Sequence, residues 1–92
     1  MKRYLVETYL ARGAVAERVA HDQRARSASE ELARESKHVR FDRSIHVLED
    51  EICFFVFEAP SGRDAALAAE RAQLDAIRVV EAVSSQEREE QR

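Results

Sequence analysis

The stretch HVRFDRSIHVLEDEICFFVFEAP, residues 38–60, decides the fold. From His38 onward the polarity alternates. Val39, Phe41, Ile45 and Val47 are interleaved with His38, Arg40, Asp42, Ser44 and His46. A period of two predicts a strand with one buried face. Arg43 interrupts the apolar series, which predicts a bulge or bend beside it. Glu49 and Asp50 then make a short turn, and Ile52 to Phe57 is apolar at every position, as in a strand buried on both faces. Two strands joined by so short a turn pair antiparallel.

Working outward, Tyr4 to Leu10 is aliphatic and aromatic with Glu7 inside it, and reads as a first strand that ends at Arg12-Gly13. Residues 14–36 contain no Gly or Pro and are rich in Ala, Glu and Arg, which favours helix. Ala14, His21, Ala25, Ala28 and Leu32 fall on one face of that helix, with Val15 and Val19 to one side. Small residues along the face let a helix lie close to a sheet. After Pro60, Ser61 and Asp64 have the spacing of an N-cap and its N3 partner. Ala65, Ala68, Ala69 and Ala72 recur at helical spacing, and Ile77 to Val83 is a last strand. Two βαβ units with right-handed crossovers give an α+β, ferredoxin-like βαββαβ fold. It is a four-stranded antiparallel sheet with two helices on one face. Residues 1–85 form this domain, and 86–92 form a flexible charged tail without an apolar anchor.

The 92 residues make one domain. The 18 acidic and 15 basic residues are interspersed for a net charge of −3, which excludes the basic face that nucleic acid requires. No apolar run is long enough to span a membrane. The start runs directly into a strand pattern without a signal-peptide apolar region, so the expected location is cytoplasmic. The single Cys53 cannot form an internal disulfide and reads as a small buried hydrophobe, which fits a reducing compartment. A chain this short buries a modest core, and a sheet face left bare by two helices predicts a homodimer. Leu5, Ile77, Val79 and Val83 are the apolar residues expected on that face.

The segments RYLVETYL (3–10), DEICFFVFEAPS (50–61) and IRVVEAV (77–83) resemble a bacterial family of small chains that includes a nickel-binding protein from actinobacteria. The resemblance covers nearly the whole chain except the tail. It implies a ferredoxin-like fold, dimers of the α/β-barrel type, and a divalent transition metal such as nickel as a ligand.

Alternation also selects the candidate site. Glu7 shares a face with Leu5 and Tyr9, His46 with Ser44, and Glu81 with Ile77, Val79 and Val83. First and last strands are neighbours in this topology, so Glu7 and Glu81 lie close if both point away from the helices. Adjacent carboxylates repel, and a proton or a divalent cation relieves the repulsion. Glu7, His46 and Glu81 are therefore the expected metal ligands or acid–base groups. The plainer alternative pairs the two glutamates with Arg3, Arg40 or Arg78. Glu17 and His21 stand one helical turn apart, while His38 falls at a solvated junction. There is no phosphate-binding Gly-rich loop, because Gly13 and Gly62 are isolated. Three functions remain open. One is a small dimeric binding protein that holds a metal or small organic ligand at the sheet face. The second is a dimeric α/β-barrel isomerase or cyclase using a glutamate or His46. The third is a structural or interaction module.

Residues 86–92 contain no apolar side chain, so their removal is expected to leave the thermal midpoint within a few degrees in a calorimetric scan.

Overall fold

The computed structural model describes residues 1–85. They form β1 (Lys2–Tyr9), α1 (Val15–Arg34), β2 (Arg40–Val47), β3 (Ile52–Ala59), α2 (Gly62–Arg71) and β4 (Ala76–Ala82). The tail expected over residues 86–92 lies outside the described residues. The strands make a single sheet in the order β2-β3-β1-β4, with each neighbouring pair antiparallel. This is the ferredoxin-like arrangement that the sequence pattern predicts. No helix among the described residues is long and apolar enough to cross a membrane.

Local chemistry sets the element ends. Ser61 is the N-cap of α2, and its hydroxyl accepts the Asp64 N–H at 3.2 Å. α1 starts at Ala14 without a side-chain cap. Both helices close through a non-glycine residue in the left-handed region, Ser36 (φ 69°) and Gln73 (φ 59°). The N–H groups of Lys37 and Leu74, each one residue further on, donate to Leu32 and Ala69 respectively. The β2–β3 turn closes at Glu51, also left-handed at φ 54°. Its backbone carbonyl accepts from Leu10, and its carboxylate accepts from the Arg12 N–H at 3.0 Å and the Tyr9 hydroxyl at 3.2 Å. The hairpin is thereby tied to the end of β1.

The core lies between the sheet and the two helices. Tyr4 and Val6 of β1, Phe41 of β2 and Cys53, Phe55 and Phe57 of β3 point into it. From above they meet Ala25, Ala28 and Leu32 of α1 and Ala65, Ala68 and Ala69 of α2. The alanines bring both helix backbones close, and the phenylalanines supply the bulk, Phe41 lying 5.3 Å from Phe57 between ring centroids. Val15 and Val19, at the side of the stripe, are exposed.

Two face assignments differ from those expected of the sequence. The bulge predicted near Arg43 is present: Phe41 pairs with Phe57 and Arg43 with Val56, so Asp42 is an extra residue. An extra residue exchanges the two faces of a strand for everything downstream. Phe41 faces the helices, but beyond the bulge Ser44 and His46 take that side, while Ile45 and Val47 turn to the bare face. In β4, Val79 pairs with Val6 and Glu81 with Tyr4, both core-side residues, whereas Arg78, Val80 and Ala82 stand opposite Glu7, Leu5 and Arg3. Val79 therefore packs on the core, and the bare face carries Val80 in place of the expected Ile77, Val79 and Val83. Adjacent valines at 79 and 80 make both parities of β4 look equally apolar, so alternation alone does not choose between them.

Phe55 is fully buried in the middle of the central strand. Phe55→Ala is expected to lower unfolding free energy by about 3–5 kcal/mol. Val19→Ala, on the exposed side of α1, should stay within about 0.5 kcal/mol. Urea unfolding curves with unchanged slopes would check both.

Candidate functional site

The bare face has an apolar middle and charged ends. Leu5 of β1, Phe54 and Val56 of β3, Ile45 of β2 and Val80 of β4 share it by register. Ile45 remains 49% exposed. At one end, Arg3 donates to Asp42 (2.9 Å) and to Glu58 (3.1 Å). Arg40 adds a 2.7 Å contact to Glu58 and Arg43 one of 3.2 Å to Asp42. A network with half-buried carboxylates holds its shape better than isolated surface pairs do. At the other end Arg78 donates to Glu7 at 2.7 Å.

The three candidate residues do not meet on this face. Glu7 lies on it, neutralised by Arg78. His46 lies on the helix side of β2, cross-strand from the buried Cys53, because of the bulge at Asp42. Its Nε2–H donates to the Leu10 carbonyl at 3.0 Å, which fixes the tautomer. Glu81 is on the helix side of β4, at the opposite edge of the sheet from β2. Among the described residues no three His, Cys, Asp or Glu side chains converge as a metal-binding group. Of the plainer alternatives, the Glu7–Arg78 pair is present.

A different place gathers polar groups. A cleft of about 530 Å³ opens between the first turns of α1, the end of β1 and the start of β4. Thr8 and Tyr9 come from β1, Glu17 and His21 from α1, Gln73 and Asp75 from the α2–β4 loop, and Ile77 from β4. Thr8 is held by its hydroxyl, which donates to the Cys53 carbonyl at 3.1 Å. Arg24 donates to the carbonyls of Ala72 (2.8 Å) and Gln73 (3.4 Å), fixing the loop that brings Gln73 to the cleft.

His21 lines this cleft from α1. Its ring meets Phe55 edge-on at 5.9 Å, and Nε2 lies 3.9 Å from a Glu17 carboxylate oxygen. Nδ1 is buried without a hydrogen-bond partner among the described residues, as are His46 Nδ1 and Asp22 Oδ1. Burial, and after it the charge of Arg24, holds the His21 pKa below 6.5, against the opposing pull of Glu17 and Asp22. At neutral pH the imidazole is therefore mostly uncharged, able to give or take a proton beside the Glu17 carboxylate. The i, i+4 spacing of Glu17 and His21 was the one sequence signal for this pair. Nothing in the sequence brought Gln73, Asp75 and Ile77 to them.

Cys53 is the buried hydrophobe that its context predicts. Burial first, then the charge of Asp22, pushes its thiol up to about 11, with Arg18 and a backbone hydrogen bond from Ile45 acting the other way. Such a thiol is a poor nucleophile and a poor metal ligand.

No family model matches the chain, and no curated protein does. A crystal structure of a protein from Streptomyces coelicolor A3(2) is similar in fold, with a TM-score of 0.67 at 18% identity. The match covers 90% of this chain and 98% of that one. At that identity the likeness concerns the fold.

The depressed pKa of His21 has a consequence for stability. The unfolded chain binds more protons than the folded one between the folded-state pKa and 6.5, so stability rises with pH across that window and is lost below it. Urea unfolding at a series of pH values should give a decline on acidification that is shallower in His21→Gln. In NMR titrations His21 should take its proton at a lower pH in the folded chain than in urea.

Proposed function

We propose that the protein is a homodimeric binding module for a small ligand, assembled through the bare face of its sheet. The observation that carries this reading is the composition of that face. Ile45 is exposed and Leu5, Phe54 and Val80 are half-buried on a face that neither helix covers, with Val56 already buried among them, and Arg–carboxylate pairs flank this apolar centre at both ends. An apolar centre with a charged rim is the pattern of a protein interface, and a face-to-face dimer removes the exposed apolar area from water. The flanking ion pairs supply the rim without placing an unpaired charge at the middle.

The ligand in this reading is organic rather than metallic. The resemblance of the sequence to a nickel-binding family implies a metal, but the residues that would hold one do not fit. Glu7 is committed to Arg78, His46 to the Leu10 carbonyl, and Glu81 stands at the far edge on the other face. A concave cleft with a few polar groups is the more usual form of a small-molecule site. The buried, unreactive Cys53 is compatible with the reducing cytoplasm as the place of action.

Light scattering at micromolar concentration should give the mass of two chains. Ile45→Glu, which is cheap for a protomer because the site is half exposed, should give the mass of one. A wild-type chain that stays at one-chain mass on concentration would overturn the reading.

A further inference from the structure

We propose that the cleft beside His21 binds a small organic cation, an ammonium group carried on a short apolar chain. The inference deepens the binding-module reading by naming the ligand class, and it needs no second subunit.

The first support is charge. Glu17 and Asp75 stand on different walls of the cleft, one from α1 and one from the α2–β4 loop, and no Lys or Arg lines it. Arg24, whose charge acts on His21, directs its guanidinium to the carbonyls of Ala72 and Gln73. Among the described residues, Asp75 has no ion pair and Glu17 meets His21 alone, at 3.9 Å. Two carboxylates that line one partly enclosed space attract a cation and resist an anion.

The second support is the state of His21. A protonated imidazole would cancel part of that negative field. Burial against Phe55 keeps the ring uncharged at neutral pH, so the cleft keeps its two negative charges and gains a neutral hydrogen-bonding group on its floor.

The third support is apolar. Ile77 is 58% exposed and Tyr9 is 62% exposed at the rim, beside the carboxylates. Methylene groups of a ligand would cover Ile77. The Tyr9 hydroxyl is held by Glu51 at 3.2 Å, whose charge raises its pKa, so it stays a neutral phenol. A cleft of about 530 Å³ is the size of a small-molecule site, and it lacks the three converging donors of a metal centre.

The test uses the full chain and cadaverine as probe, with glutarate and nickel as controls. Calorimetry should record binding of cadaverine and none of glutarate. Backbone amide shifts should cluster at Thr8, Glu17, His21, Gln73 and Asp75. Glu17 and Asp75 are both exposed, so the Glu17→Gln, Asp75→Asn double variant should fold normally and bind at least about tenfold more weakly. Absence of shifts at millimolar cadaverine, equal binding of glutarate, unchanged affinity in the double variant, or displacement of cadaverine by nickel would each overturn the proposal. Cadaverine binding by the Ile45→Glu monomer would uphold it. A dimer that ignores cadaverine overturns this inference and leaves the assembly standing, and a wild-type monomer that binds it does the reverse.

Discussion

One extra residue in an edge strand, Asp42, governs how this small sheet divides its side chains. Up to Phe41, β2 presents its apolar residues to the helices. After Asp42 the same alternation presents Ile45 and Val47 to the opposite side. The bulge is held in place by Arg3, which reaches across β3 from β1 to bond both Asp42 and Glu58. Without the inserted residue Ile45 would lie under α1, and His46 would join the bare face. The apolar outer face and the polar pocketing of His46 are two results of a single irregularity.

The other side of the sheet depends on reach. The alanines of α1 and α2 allow both helices to sit low, and three phenylalanines from β2 and β3 fill the space that remains. Toward the start of α1 the stripe changes from alanine to His21, and the packing loosens into a cleft. The helix–sheet core opens toward Thr8 and Ile77 at one end, and at the other a cleft of about 480 Å³ opens beside Ser29, Ala33, Val39 and Phe41. The buried His21 Nδ1, without a partner among the described residues, stands beside the cleft at Thr8 and Ile77.

Much of this architecture was readable from the chain. The element order, the hairpin, the Ser61 cap and the Ala stripes follow from local rules that act within a few residues. The bulge was readable too, because Arg43 breaks the apolar series. Its effect on parity was harder to follow, since a faces argument counts by twos and the count has to be restarted after the insertion. β4 defeated the same argument for a different reason: Val79 and Val80 are both apolar, so either could have faced the core. The site built on Glu7, His46 and Glu81 failed on these two parities together. The cleft around His21 assembles side chains from three distant segments, and only the Glu17–His21 spacing, within one helix, leaves a trace in the sequence.

Cys53 is the second residue of the central strand β3, next to the hairpin turn, cross-strand from both Thr8 and His46, fully buried and with its thiol pKa pushed up to about 11. Oxidants and alkylating reagents have no route to it while the sheet is closed, and the thiolate they require is scarce even at mildly alkaline pH. The sulfur is thus a built-in clock. It reacts only when β3 parts from a neighbour, and its rate of modification counts openings of the central strand without any added label. A protein with a single thiol carries one such clock, and here it reports on the hairpin end of the central strand.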